Sequence, residues 1–329
     1  MTVAVGLAGL GRMGRVHARS LRGGCADAAL ACVYDTDTAA ARAASAQFGV
    51  PPAATFAQLL DRSDAVVIAT PTPSHAPLTI AAAAAGRPVF CEKPLSLDRA
   101  AAVAAVAACA DAGVALQVGF HRRFDPDWVA AASRIHAGDL GQIQLFRTSL
   151  RDRDPPDPAV LAHTGGFFAD LTVHDLDVAR WLCGEVVEVT AHGAGAAQDD
   201  TAHDDIDTAV VVLRFASGAL GMIDNSRCAR YGYECSTEVM GTLATVRIDA
   251  PHPRGVEWRT PSGASRGFAR DFEERFPFAY AAELDAFARC VREGTPPRVT
   301  GHDAIAASDL AAAATESWRT GRTVPVEGA

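Results

Sequence analysis

The chain has 329 residues, 49% of them hydrophobic and 21% charged, which is enough for two domains, each with its own core. Its formal net charge is −9 and it has no basic run, which excludes a nucleic-acid partner, because phosphate binding needs clustered Lys and Arg. No apolar stretch reaches the ~18 residues of a bilayer crossing and no basic region precedes the N-terminal apolar run, so the expected location is cytoplasmic with no membrane partner.

The first 120 residues alternate strands and helices. VAVGLAG (3–9) reads as a strand that runs into the glycine loop GLGRMG (9–14), and RMGRVHARSLR continues as a helix. AALACVYD (28–35) is a second strand, TAAARAASAQFG a helix stopped by Gly49, and AVVIAT (65–70) a strand apolar enough to be buried on both faces. APLTIAAAAAG is a helix stopped by Gly86, and PVFCE (88–92) is a strand. Ser96 is the expected cap of the helix over 97–113, with Asp98 in its first turn, and ALQVGF (115–120) is a further strand. This alternation predicts a doubly wound parallel sheet over residues 1–122. Beyond it, QIQLFRTSL, VVEVTAHGA, DTAVVVLRFA, ALGMIDNSR, YECSTEVMG and ATVRIDA are strands joined by short turns. One amphipathic helix (169–184) interrupts them and two more (about 277–293 and 302–320) close the chain. Residues 123–329 are therefore expected to form an α+β domain with a large open, mainly antiparallel sheet. Eight cysteines without a C-x-x-C pair read as small thiols in a reducing compartment, and no metal is expected.

The loop has the spacing G-x-G-x-x-G between a strand and a helix. Gly9 permits the tight turn, Gly11 the approach of a pyrophosphate, and Gly14 the packing of helix on strand. Asp35 stands 21 residues after Gly14 at a strand end, where a carboxylate accepts the ribose hydroxyls and repels a 2′-phosphate. The expected cofactor is NAD, with Arg12 and Met13 of the loop also on its side. ATPTPSH (69–75) ends the next strand, so Thr70 and Thr72 face the second ribose or the nicotinamide. His75 either joins them or simply begins the following helix. In CEKP (91–94), Lys93 either polarises a substrate oxygen or pairs with Glu92 at the surface. Asp170 and His174 are four apart on one helix, with Asp177 three further on. The pair suits a general base, two metal ligands with HDD (203–205) as a third source, or a plain helix-face hydrogen bond.

These pieces in this order, together with GFHRRFD, RDRDPPDP and NSRCARYGYE, resemble the glucose–fructose oxidoreductase/inositol dehydrogenase/rhizopine catabolism family, most of all its inositol 2-dehydrogenase branch. The resemblance spans nearly the whole chain. It implies oxidation of a secondary hydroxyl of a cyclitol or sugar-like polyol. It also implies that Lys93 contacts substrate beside the nicotinamide, that Glu92 of the same motif lies on the cofactor side, and that the Lys93–Pro94 bond is cis. His174 then takes the hydroxyl proton and Asp170 orients substrate and histidine. Of Arg122 and Arg123, the latter is the expected substrate contact, on the ground that neighbours on an extended segment point opposite ways. Tyr231 and Tyr233 share a face by the same rule, and Tyr233 is chosen. Asp152 and Tyr280 are further candidates. The stretches ECSTEV and RDRDPPDP depart from the branch, which leaves the polyol open. A dehydratase, epimerase or glycosidase cycling NAD, or a dinucleotide sensor, are the competing functions. The resemblance also implies a homodimer or homotetramer built on the open sheet.

Overall fold

The structure, a computed structural model, describes residues 2–156, 161, 163–195, 205–249 and 257–326. It divides into two compact units: residues 1–125 with 277–305, and residues 126–276 with 306–329.

In the first unit β1 (Val3–Ala8) leads into α1 (Arg12–Gly23), and β2 (Ala28–Tyr34) into α2 (Thr38–Phe48), which Gly49 ends in the left-handed conformation. A short helix α3 (Phe56–Asp61), capped by Thr55, precedes β3 (Ala65–Ile68). Then follow α4 (His75–Ala84), β4 (Val89–Glu92), α5 (Arg99–Asp111) and β5 (Leu116–Gly119). The five strands are all parallel in the order β2-β1-β3-β4-β5, so the expected doubly wound sheet is present, with its switch point between β1 and β3. The cap of α5 is Asp98 rather than Ser96. Asp98 accepts from the N–H groups of Ala100 and Ala101, while the Ser96 hydroxyl accepts from Asp98 N one step earlier.

The second unit contains α6 (Pro126–His136), β6 (Ile143–Arg151), α7 (Val173–Cys183), β7 (Val186–Ala194), β8 (Thr208–Phe215), β9 (Leu220–Ser226), β10 (Glu234–Gly241) and β11 (Thr245–Ile248). A hairpin of β12 (Glu257–Thr260) and β13 (Gly263–Arg266) and a single turn α8 (Phe272–Arg275) follow. Helix α9 (Pro277–Glu293) returns to the first unit, α10 (Gly301–Thr320) has residues in both, and β14 (Val324–Pro325) ends the second. The seven-stranded sheet runs β11-β10-β6-β9-β8-β7-β14. It is antiparallel except for the parallel pair β6 and β9, so it is mixed, as suits an α+β domain.

A single boundary at 122/123 does not provide for the return of α9. Its stripe Leu284, Phe287, Ala288 and Val291 packs into the core made by Val3, Val5, Leu30 and Ala44. Its polar edge is fastened too, since Asp285 accepts from Ala26 N and Asp27 N while Arg289 and Arg292 pair with Asp27. All eight cysteines are free thiols, and burial pushes those of Cys25 and Cys183 up to about 12. Among the described residues no helix is long and apolar enough to cross a membrane.

Candidate cofactor and catalytic sites

The glycine loop of the first unit is shaped by contacts only glycine permits. Gly9 has φ +92°, and a Cβ there would lie 2.4 Å from the Ala69 carbonyl oxygen. A Cβ on Gly14 would lie 2.0 Å from the Gly9 carbonyl oxygen, so α1 meets the loop only through glycine. At Gly11 the opposite holds: nothing stands within 4 Å of a built Cβ. Gly11 is also the N-cap of α1 and offers no capping side chain. Open space over an uncapped helix start is what a pyrophosphate needs, because the first-turn N–H groups and the positive end of the helix face it. Arg12 is exposed there, while Met13 packs against the core beneath. Asp35 follows β2 directly. Its Oδ2 accepts from Leu10 N at 2.8 Å and its Oδ1 from Asp37 N at 2.9 Å, which fixes the carboxylate to the glycine loop. Oδ1 also takes the Thr36 hydroxyl at 3.5 Å, while Oδ2 keeps a lone pair for a ribose hydroxyl. The residues present therefore fit NAD.

Two further turns carry the rest of this unit's candidates. After β3, Thr72 opens a 3₁₀ turn (Thr72–Ser74) and the Ser74 hydroxyl lies 2.7 Å from Thr70 Oγ1. His75 starts α4 and is buried, with Nδ1 2.8 Å from the Pro94 carbonyl oxygen and Nε2 2.7 Å from that of Thr70. Both ring nitrogens lie against backbone carbonyl oxygens, and the single N–H of a neutral ring serves one of them at a time, so His75 sits between the turn after β3 and the turn after β4. The Lys93–Pro94 bond is cis. Glu92 turns inward: Oε1 is 2.6 Å from Nε2 of the fully buried His17, and Oε2 accepts from Lys93 N at 3.3 Å. This removes the reading of Lys93 and Glu92 as a surface ion pair, and it places the Glu92 carboxylate under the loop. Residues His121–Phe124 form a 3₁₀ turn, not an extended segment, so alternation gives no ground for choosing Arg123. Arg123 is buried and pairs with Asp303 at 3.2 Å. Tyr280 on α9 is buried and stacks on His121 with ring centroids 4.8 Å apart.

In the second unit the expected single helix is two segments. A π-helical turn (Phe168–Thr172) carries Asp170, and α7 carries His174, so the D-x-x-x-H spacing straddles their junction. Such insertions recur at functional sites. Gly165 and Gly166, both with positive φ, set up the entry, and Asp170 N donates to Gly166 O. Arg227, at the end of β9, is the residue the sequence reading missed. Its guanidinium bonds Asp170 Oδ2 at 3.1 Å and Asp205 Oδ2 at 3.0 Å, and lies 5.0 Å from the Phe167 ring centroid. Asp175, next to His174, is fully buried and accepts from Thr148 Oγ1 at 3.1 Å and Asn225 Nδ2 at 2.9 Å. It bolts the start of α7 to β6 and β9. His174 itself is half-buried, and Asp177 is buried. Asp152 follows β6, its backbone bonded to Ser226 and Ala229. Tyr233 is buried and bridges to Ala269, whereas Tyr231 is exposed. Gly232 at φ +145° breaks the alternation, so the two tyrosines do not share a face. His203 and Asp204 of the HDD stretch, residues 157–158 of RDRDPPDP and Ala250 lie outside the described residues.

Residues 3–120 match the family described as "Oxidoreductase family, NAD-binding Rossmann fold", and residues 132–326 that described as "Oxidoreductase family, C-terminal alpha/beta domain". The chain is 38% identical to an inositol 2-dehydrogenase of Rhizobium meliloti, over 99% of this chain and 100% of that one. It is 37% identical to a scyllo-inositol 2-dehydrogenase (NAD(+)) of Bacillus subtilis, over 97% and 95%. A crystal structure of scyllo-inositol dehydrogenase from Lactobacillus casei with bound NAD(H) and scyllo-inositol superposes with a TM-score of 0.90 at 29% identity, covering 99% of each chain.

Proposed function

The chain belongs to the Gfo/Idh/MocA oxidoreductase family, and from that premise we propose that it is an NAD-dependent dehydrogenase of a cyclitol of the inositol class, oxidising one secondary hydroxyl to a ketone. The observation that carries this reading is the end-to-end similarity at 38% identity to an inositol 2-dehydrogenase. NAD, when bound along the glycine loop, supplies the acceptor for the hydride that leaves the carbinol carbon. His174 takes the hydroxyl proton at its unprotonated ring nitrogen, since an imidazole titrates in the working range. The Lys93 ammonium donates to the oxygen as it passes from alkoxide to carbonyl. Asp170, held by Arg227, orients the reacting group. A panel of inositol isomers and sugar alcohols, with reduced cofactor followed by absorbance, tests the reading. Accumulation of NADH with an inositol is the expected result. Conversion of a substrate without net NADH would instead point to a dehydratase or epimerase that cycles its cofactor.

Asp35 makes a sharper prediction. Asp35→Ser removes the carboxylate that repels a 2′-phosphate, so the ratio of kcat/KM for NAD over NADP should fall by about tenfold or more, roughly the 1–2 kcal/mol of one charged contact. A wild-type enzyme that already favoured NADP would overturn the assignment.

The same reading includes a homo-oligomer formed on the open sheet. Val210 and Val212 on β8, Leu220 and Met222 on β9, and Met240 on β10 are exposed apolar residues. Val212 stands directly opposite Met222, and Leu145 stands opposite both Leu220 and Met240, so the patch is continuous across four strands. A sheet with one apolar face uncovered needs a partner layer. Sedimentation should give a multiple of 34.3 kDa at micromolar concentration, and Val212→Glu should shift it toward the monomer. A wild-type monomer would remove the proposal.

A further inference from the structure

Beneath the turn that carries Lys93 lies a buried polar cluster that the proposed chemistry does not use. His17 of α1, Glu92 of β4 and Glu283 of α9 place one ligating atom each within 4.8 Å of one another, and all three residues are buried. His17 Nε2 and Glu92 Oε1 are 2.6 Å apart, and the other Glu92 oxygen accepts from Lys93 N. Glu283 differs: it is fully buried and neither carboxyl oxygen receives a hydrogen bond. One imidazole can balance one carboxylate at most, and Glu92 already holds that position with its donors in place.

We propose that Glu283 is a neutral carboxylic acid in the working enzyme and a positioning residue, whose uncharged state keeps Glu92 seated on His17 and so holds the main chain at Lys93. A carboxylate stripped of water and given no donor costs far more than the protonated acid in the same place. Burial first, and then the charge of Glu92, push the Glu283 carboxyl well above the usual carboxylate range. Among the described residues no group donates to either Glu283 carboxyl oxygen. Cys25 faces Glu283 as a thiol held neutral by burial. Gln117 of β5 spends its Nε2 on the Glu283 carbonyl oxygen. In the adjoining 3₁₀ turn, His121 stacks on Tyr280 and Arg123 pairs with Asp303, with Arg122 buried between them. Beyond Cys25 lie the carboxylates of Asp27 and Asp285, and the cations there, Arg289 and Arg292, are paired with Asp27. A shared metal ion fits the distances less well. Two ligand atoms at about 2.0–2.1 Å from one zinc ion stand roughly 3.3 Å apart at the tetrahedral angle, whereas 2.6 Å is a hydrogen bond.

The link to Lys93 rests on the function proposed above, but the protonation state does not. The fold prefers the neutral acid, so this contribution to stability is full at low pH and is lost as pH rises through the native value. Glu283→Gln copies the neutral acid. It should melt at or above the wild-type temperature, and its advantage should widen from the carboxylate range toward alkaline pH. The infrared carbonyl stretch of a protonated carboxylic acid should be present in wild type and absent in Glu283→Gln. With an inositol as substrate, wild-type kcat should fall several-fold at unchanged KM as Glu283 ionises at alkaline pH, while Glu283→Gln should hold its kcat over the same range. A Gln variant that is less stable at neutral pH, a wild-type spectrum without the acid band, or a stoichiometric metal found by elemental analysis would overturn the protonation state. A wild-type kcat that tracks Glu283→Gln across that range would overturn the positioning role. If no polyol is oxidised at all while melts and spectra behave as stated, the dehydrogenase reading fails and the neutral acid stands.

Discussion

Replacing His174 with alanine is expected to lower kcat by roughly 10²–10⁴, the usual worth of a general base, with NAD affinity almost unchanged. The fold should survive the change. His174 is half-buried, and the packing of α7 is carried by its neighbours Val173, Leu176, Val178 and Ala179, all buried, and by the buried bonds of Asp175 to Thr148 and Asn225. Alanine is also the better helix former. A melting temperature close to wild type is therefore expected, which separates loss of chemistry from loss of structure. Lys93→Ala should do similar damage, and on the proposal that sets Lys93 beside the nicotinamide it should weaken NAD binding as well. A well-folded His174→Ala enzyme with near-normal turnover would remove the imidazole from the reaction.

The sheets and helices were legible in the sequence because each is punctuated locally. Gly49 stops α2 in the left-handed conformation, and the glycine loop sits between β1 and α1 where the spacing puts it. The elements that were not legible depend on distant partners. Nothing within 277–293 says that α9 packs on β1 and β2; its apolar stripe fits any core of that width. Arg227 reads as one more strand-end arginine until the chain brings Asp170 and Asp205 to it, 57 and 22 residues away. Glu92 looks like a surface partner for Lys93 because i, i+1 proximity is visible, while His17, 75 residues earlier, is not. The tyrosine pair and the two arginines fail for a local reason. Alternation presumes an extended backbone, and a 3₁₀ turn at 121–124 and Gly232 at φ +145° remove that premise. Motif order therefore picks out the candidate residues, and long-range hydrogen bonds decide what holds them.

Arg227 gives the second large effect. Its guanidinium is 2% exposed while the carboxylates it joins are 25% and 22% exposed. Arg227→Met removes the bond to the π-helical turn at Asp170, the bond to Asp205, and the stacking on Phe167. Losing one partner of a fully buried pair costs about 3–5 kcal/mol, but both carboxylates here recover some water, so about 1–3 kcal/mol is expected, seen as a lower melting temperature. Turnover should fall further than stability accounts for, because Asp170 loses a charged partner that orients its carboxylate. Arg227→Lys separates the two roles. An ammonium is a point charge and reaches one carboxylate, not both in a fork, so it should restore part of the stability and little of kcat. Asp205→Asn makes the complementary test. It weakens the anchor to Phe167 N and to Arg227 while leaving the Arg227–Asp170 bond, so stability should drop and kcat should hold. If Arg227→Met instead kept both its melting temperature and its kcat, Asp170 would be positioned by some other group, and the role given to Arg227 would be withdrawn.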